Sequence, residues 1–306
     1  MSKPRISVIV SVDHRDVLAR SIAALGAQTL PPSEFEVLVV DGHQFQDWAP
    51  RLPELVAATG KPLNIALHKI AGGSRARTNN TGIRLSTADV VLFTADDFLM
   101  QPALLEAHVR FHETHPDFRA VGVGPGFFSP ELRRHAFTRW LEDSGELLGV
   151  SFTAGEVAVP PSFFYVGNCS VKRALLEQAG IFDEDFPYDA WEDYELGVRL
   201  AKHGMRAMYV PEAAAIHDHD YSLAERRVSM RNAGESAAIF ARKYPGPHAW
   251  QHECRYAPWR LELAAQWWLI KSLVQGDSQA RGRYYHLTLQ RNFVAAYRRH
   301  AGEPHG

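Results

Sequence analysis

The chain has 306 residues, 46% hydrophobic and 22% charged, with a formal net charge of -2. That length suits one α/β unit with an appendage better than two independent cores. The near-neutral balance argues against a protein whose main work is coating nucleic acid, and only two cysteines, Cys169 and Cys254, exclude a disulfide framework and point to a reducing, cytoplasmic setting.

The first half alternates strand and helix patterns. "RISVIVSV" (5–12) is a continuous β-branched run, hence a strand buried on both faces. Its apolar stretch of about seven residues lies at the lower end of a signal-peptide core and lacks a small-residue cleavage site, so it reads as structure. "RDVLARSIAALGAQ" follows with Val17, Leu18, Ile22 and Leu25 at helical spacing. "FEVLVVDG" (35–42) is a second strand, "LPELVAATG" a short helix stopped by Gly60, and "LNIALHK" a third strand. "GGSRARTNNTGIRLS" opens a helix with Ser74 at the N-cap, and "ADVVLFTADD" is a fourth strand. This order implies right-handed crossovers and a mostly parallel sheet, with its ligand crevice beyond the carboxyl ends of the strands. Asp13, Asp41 and the Asp96-Asp97 pair all fall at those ends.

In the second half, "QPALLEAHVRFHETHP" is an amphipathic helix, and the plainer of two readings of Asp96 and Asp97 is a strand-to-helix turn ahead of "FLMQPALLEAH". "RAVGVGPGFF" reads as one glycine-interrupted strand, and residues 140–165 as a loop. "SVKRALLEQAG" is a helix capped by Ser170, "WEDYELGVRLAKHG" (191–204) another, and "MRAMYVP" and "AAAIHDHD" are extended. From about residue 222 onward only helices are expected. No window offers the roughly 18 uninterrupted apolar residues of a membrane span.

Several groups carry chemistry. Adjacent carboxylates at a strand end repel one another unless something positive sits above them, and Asp96-Asp97 could bridge Mg²⁺ or Mn²⁺ to a bound diphosphate. Glu192, Asp193 and Glu195 crowd the first turn of a helix, where acids serve as caps or supply a general base. Arg199 lies one turn beyond Glu195 and can pair with it, leaving Glu192 and Asp193. His217 and His219 alternate on one extended face, an arrangement open to metal or to ordinary hydrogen bonding. Gly72-Gly73, Arg75 and Arg77 at a helix start have the makings of an anion site, without the pattern of a P-loop or dinucleotide fingerprint. Neither cysteine is placed for metal or catalysis.

Four segments in this order carry a family resemblance: "ISVIVSVDHRDVLARSIAALGAQTLPPSEFEVLVVDG", "NNTGIRLSTADVVLFTADDF", "VGNCSVKRALLEQAGIFDEDFP" and "WEDYELGVRLAKHGMRAMYVPEAAAIHDH". Over roughly residues 5 to 245 the chain resembles a family 2 glycosyltransferase. That implies the GT-A fold, a Rossmann-like, mostly parallel sheet flanked by helices, here with a C-terminal helical extension. The implied organisation is a nucleotide-sugar-binding half (1–100), an acceptor-binding and catalytic half (101–221) and the extension (222–306). The resemblance assigns Ser11, Val12, Asp13 and Asp41 to the nucleotide base and ribose, with Arg15, Gly73, Arg75, Arg77, Asn80 and Asp96 as further donor contacts. Asp97 matches the metal ligand of the DxD-type motif and His217 a histidine that completes the metal shell. Asp193 matches the acid that deprotonates the acceptor, with Glu192 beside it; Trp191 and Asn168 are candidates for acceptor contact.

Two positions depart from the pattern. Ala95 stands where a full acidic triplet has its first acid, and Asn79 where an arginine is usual, so Arg75 or Arg77 is expected to reach the diphosphate. The expected activity is inverting transfer of a sugar from a UDP, GDP or TDP donor to an acceptor hydroxyl, with Mn²⁺ or Mg²⁺ as cofactor. A sugar nucleotidyltransferase and a non-catalytic sugar- or nucleotide-binding relative are the alternatives. The tryptophan- and arginine-rich tail is open to three readings: a cap on the catalytic unit, a peripheral membrane contact, or a homodimer surface.

Overall fold

A computed structural model of the chain describes residues 3–12, 17–43, 47–147 and 164–302. Asp13, Arg15 and most of the loop expected over 140–165 lie outside the described residues. In chain order the elements are β1 (Ile6–Val12), α1 (Leu18–Gly26), β2 (Phe35–Asp41), α2 (Leu52–Ala58), β3 (Ile65–Lys69), α3 (Arg75–Leu85), β4 (Val90–Ala95), β5 (Phe98–Met100) and α4 (Leu104–Thr114). They continue as β6 (Ala120–Val123), β7 (Gly126–Phe128), α5 (Ala136–Asp143), β8 (Asn168–Lys172), α6 (Arg173–Ala179), α7 (Glu192–Lys202), β9 (Arg206–Tyr209) and β10 (Ala215–His217). Three helices follow: α8 (Leu223–Lys243), α9 (Pro258–Gln275) and α10 (Ser278–Ala301). The chain divides into two units, one of residues 1–134, 141–184 and 192–219, the other of 135–140, 185–191 and 220–306.

The first unit holds a seven-stranded sheet in the order β3-β2-β1-β4-β8-β6-β9 and a three-stranded sheet in the order β5-β10-β7. Every residue of β1, β2 and β4 is buried, as their unbroken apolar runs require of strands covered on both faces. Alternate residues divide between the two layers. Val8 and Val10 of β1 pack with Leu18, Ile22 and Leu25 of α1 and with Leu104 and Leu105 of α4. Ile9, Val91 and Phe93 face Ala76 and Ile83 of α3 and Leu196 and Leu200 of α7 on the other side.

Three local expectations give way to pairing. Ser170 does not cap a helix; it lies inside β8, which runs antiparallel to both β4 and β6. Helix α6 begins only at Arg173, whose guanidinium donates to the carbonyls of Ile83 and Ser86 at the end of α3. "RAVGVGPGFF" is two strands in different sheets, because Pro125 follows Gly124 and lacks the amide N–H a continuing ladder needs. The segment after Asp97 is not a turn into α4 but β5, paired antiparallel with β10. Ser74 does stand at the N-cap position of α3, yet its side chain makes no capping bond.

Beneath α4 lies a buried polar network. Asn168 donates to the carbonyls of Ala213 (2.6 Å) and Pro125 (3.2 Å), and its Oδ1 is 3.0 Å from Nε2 of His108. Nδ1 of His108 and Nε2 of His112 both contact the Ser170 hydroxyl, at 2.8 and 2.9 Å. Burial lowers the pKa of His108 to about 4 and that of His112 well below its ordinary value. A histidine depressed in the folded state contributes stability above its unfolded pKa and loses it as pH falls through the folded value. Acidification from about pH 7 to pH 4 is thus expected to cost on the order of 3 kcal/mol through His108 alone. Urea denaturation at the two pH values checks this, with His108→Gln expected to flatten the dependence.

The second unit is helical. Ser222 and Glu225 form a capping box at the start of α8. Ala237, Ala238 and Phe240 of α8 pack with Leu261 of α9 and with Phe293, Val294 and Tyr297 of α10. Trp191 belongs to this unit, its ring 4.9 Å from Trp250 and 5.4 Å from Phe240. Among the described residues it is the one non-glycine with positive φ, at 74°, a conformation that costs a bulky side chain about 1–3 kcal/mol.

Candidate functional site

The strand ends meet as the topology dictates. Val12 ends β1 in register with Asp41 at the end of β2, and Ser11 of β1 pairs with Ala95 at the end of β4. Asp41, Asp96 and Asp97 are all buried. The backbone N–H of Asp96 donates to Ser11 (3.0 Å), and the Asp97 carbonyl accepts from the N–H of Asp218 (2.7 Å). Ser11 itself is buried, its hydroxyl 2.6 Å from that of Thr78 on α3. The loops after β2 and before α3 touch backbone to backbone: a Cβ on Gly73 would lie 2.5 Å from the Cα of Gly42. Any side chain there would wedge the crevice wall open, so glycine is needed for this close approach.

His217 ends β10, where the register sets it opposite Phe98 of β5 and Phe128 of β7. Both rings meet its imidazole edge to face, at centroid distances of 4.7 and 5.2 Å. Its Nε2 lies 3.3 Å from Oδ2 of Asp97, and both side chains are almost wholly buried. The Asp97 carboxylate is the oxygen ligand that Mn²⁺ or Mg²⁺ takes beside a diphosphate, while the imidazole is the softer donor of the two. Among the described residues no cluster of three or more histidine, cysteine or acidic side chains is placed for a metal. A cation held by Asp97 and His217 would need its remaining ligands from outside this pair.

Helix α7 supplies the acids. Glu195 is engaged by Arg199 through two bonds of 2.8 Å, as the one-turn spacing predicts, and Arg199 also ties down the carbonyls of Ala179 and Ile181. Glu192 is buried and Asp193 half-buried. Desolvation holds the Asp193 carboxyl above the usual carboxylate range, opposed by the N–H of Tyr194 and the positive charge of Arg75. A carboxyl raised by desolvation is the electrostatic setting of a general base.

The two arginines of α3 part company. Arg75 is close enough to act on both Asp193 and Tyr165, whereas Arg77 is half exposed and 3.6 Å from Glu184. Arg77 Nη1 also lies 3.7 Å from where a Cβ on Gly72 would stand, beside the glycine loop that leads into α3. Asn80 is occupied structurally: its amide donates to the Phe182 carbonyl and Glu184 and accepts from the Phe182 N–H. Asn168 serves the network beneath α4, and Trp191 packs in the helical unit. Cys169 and Cys254 are buried thiols outside any disulfide, and burial pushes the Cys169 thiol up to about 12, so it stays protonated and unreactive.

The sequence reading missed Tyr165. Its ring lies 6.2 Å from that of Phe98 and crosses Gly167, where a Cβ would come within 2.5 Å of Tyr165 Cε2. The hydroxyl is buried and has no hydrogen-bond partner among the described residues, while Asp97, Asp193 and Arg75 all act on it electrostatically. Burial moves its ionisation upward, so it is a neutral donor. Such an unsatisfied group costs about 1–3 kcal/mol unless a ligand completes it. The glycine two residues on was the available signal.

This combination of a parallel sheet, strand-end carboxylates, a histidine on the small sheet and an acid-led helix has a known counterpart. The profile described as "Glycosyltransferase like family 2" matches residues 4–233, and the chain belongs to that family. A validoxylamine A glucosyltransferase from Streptomyces hygroscopicus subsp. limoneus is 28% identical over 267 residues, 79% of this chain and 57% of the relative. A second protein of that name, from S. hygroscopicus subsp. jinggangensis, is 27% identical, with 61% of its length covered. The chain thus spans under two thirds of the curated relatives it matches.

Among solved structures, the mannosyltransferase PcManGT from Pyrobaculum calidifontis, in complex with GDP-Man and Mn²⁺, superposes with a TM-score of 0.63 at 21% identity, covering 98% of this chain and 87% of that one. S. aureus TarS 1-349 in complex with UDP-GlcNAc gives 0.54 at 15% identity, covering 99% and 93%. These likenesses establish the GT-A fold, with its mostly parallel sheet and C-terminal helices.

Proposed function

We propose that this chain is an inverting glycosyltransferase that moves a sugar from a nucleoside-diphosphate donor to an acceptor hydroxyl. The observation that carries the reading is the Asp193 carboxyl, desolvated yet flanked by Arg75 and acting together with Asp97 on the buried Tyr165 hydroxyl, where Asp97 in turn meets His217. Asp193 takes the proton of the acceptor hydroxyl as that oxygen attacks the anomeric carbon. The bond to the diphosphate breaks on the opposite face, and the nucleoside diphosphate leaves with the electron pair. Arg75 meets the negative charge that develops there. Asp97 and His217 would hold Mn²⁺ or Mg²⁺, which when bound supplies charge neutralisation to the diphosphate. Complexes of the structural neighbours with GDP-Man and with UDP-GlcNAc support a sugar-nucleotide donor.

Tyr165 has a place in this scheme. Its hydroxyl, on which the proposed base and the metal-side aspartate both act, completes its hydrogen bond on the bound donor. Tyr165→Phe retains the ring packing and is expected to lower kcat about tenfold or more without lowering the melting temperature. Steady-state kinetics and a thermal melt on the same sample check both halves.

The reading is tested by calorimetric titration with UDP, GDP, TDP and CDP, each with and without Mn²⁺. Metal-dependent binding of one diphosphate supports it and names the donor class. A folded sample that binds none of them overturns it in favour of a non-catalytic relative. Pyrophosphate release from a nucleoside triphosphate would instead identify a nucleotidyltransferase.

A further inference from the structure

Helix α9 is amphipathic with its polarity reversed. The residues it buries are Leu261, Ala265 and Ser272, two of them small. Its large apolar side chains point the other way: Trp259, Leu263, Trp267, Ile270, Leu273 and Val274 are 54%, 62%, 57%, 61%, 72% and 79% exposed. At about 100° per residue all six fall within one arc of roughly 120°, a continuous stripe along about four turns. A contiguous apolar face of that kind on an otherwise polar surface marks a docking site.

The charge around the stripe identifies the occupant. Residues 258–301 hold seven arginines and lysines against Glu262 and Asp277, in a chain whose total formal charge is -2. Both acids are engaged: Glu262 lies 3.2 Å from Arg291, and Asp277 caps α10 by accepting from the N–H of Gln279. The cations sit on the tryptophans, with Arg260 5.2 Å from the Trp259 ring, Lys271 5.6 and 4.7 Å from those of Trp267 and Trp268, and Arg283 5.0 Å from that of Trp268. Beside the helix is a cleft of about 440 Å³, whose wall includes Arg260, Arg283 and His286 together with Trp268 and Leu287. Tryptophan at the boundary, aliphatic side chains beyond it and cations at the rim are the pattern of a helix lying in a lipid interface. No helix among the described residues is long and apolar enough to cross a membrane, so the contact would be peripheral. Two copies meeting through this face would bring like charges together, which disfavours self-association.

We infer that the exposed face of α9, with the basic cleft beside it, docks on the surface of an anionic lipid bilayer. The test uses the full chain, sedimented with vesicles of phosphatidylcholine alone or containing about 30% phosphatidylglycerol. The expected result is co-sedimentation with the anionic vesicles only, weakened by high salt. Ile270→Glu and Leu273→Glu change only exposed positions and are each expected to weaken it about tenfold or more, with circular dichroism unchanged. Failure of the folded chain to sediment, equal binding to neutral vesicles, or undiminished binding by both variants overturns the inference. A concentration-dependent dimer that Ile270→Glu dissociates, in the absence of vesicle binding, assigns the face to a second copy instead. Because nucleotide binding is measured separately, none of these outcomes depends on the sugar-transfer reading.

Discussion

Replacing Asp193 by asparagine is expected to leave a folded, donor-binding protein with turnover reduced by about 10²–10⁴. The amide matches the carboxylate in shape and can still accept from the N–H of Tyr194, which reaches Asp193 Oδ1 at 2.7 Å. What it lacks is the capacity to take a proton. The raised pKa of Asp193 fixes the sign of two further effects. A base acts only when ionised, so the acid limb of the wild-type pH–rate profile should lie above that of a solvent-exposed aspartate. A carboxyl raised by folding stabilises at pH below its unfolded value, and that contribution is lost as pH rises through the folded value. Around neutrality the charge therefore works against the fold, and Asp193→Asn should melt no lower than wild type. Kinetics and thermal melts of the variant decide the matter: full turnover would remove Asp193 from the role of base.

Asp97→Asn should act on a different quantity. The Asp97 backbone is held by the bond from Asp218 and its neighbour Phe98 by pairing with His217, so the substitution alters charge with little effect on shape. The expected result is loss of the Mn²⁺-dependent gain in diphosphate affinity, with turnover falling on the order of 10²–10³, as when one electrostatic stabiliser of a developing anion is removed. The nucleotide titration repeated on the variant checks this. An unchanged difference between the Mn²⁺ and metal-free titrations would mean that Asp97 does not hold the cation. The contrast between the variants is diagnostic, since Asp193→Asn leaves that difference intact.

Much of the sheet was legible because β1, β2 and β4 are buried on both faces and so read as unbroken apolar runs. Their alternation with helices put Asp41, Asp96 and Asp97 at one end without further information. The failures share a cause. "NCSVK" has no periodicity to distinguish a strand from a helix start, and β8 exists because β4 and β6 flank it. Three-residue β5 depends equally on β10, more than a hundred positions later. Partners distant in sequence leave no local pattern. That Arg75 acts on Asp193 required the placement of α3 against α7, and Tyr165 required knowing that its ring crosses Gly167. The tail was a similar case: apolar residues around much of α9 were plain, while the side that packs was decided by small residues that carry almost no signal.

The antiparallel insertion of β8 also orders events in time. The strands β3, β2, β1 and β4 pair among themselves within the first 95 residues, so this half-sheet has all its partners early in synthesis. Strands β8 and β6 can join only once residue 172 is made and β9 only after residue 209, and β5 has no ladder until β10 is made. Contacts that span such sequence distances form late and slowly. Asp97 therefore waits on the nascent chain for His217, and Arg75 for Asp193. Until β10 has been made, the first four strands carry their carboxylates at an edge that lacks both the histidine and the acid-led helix.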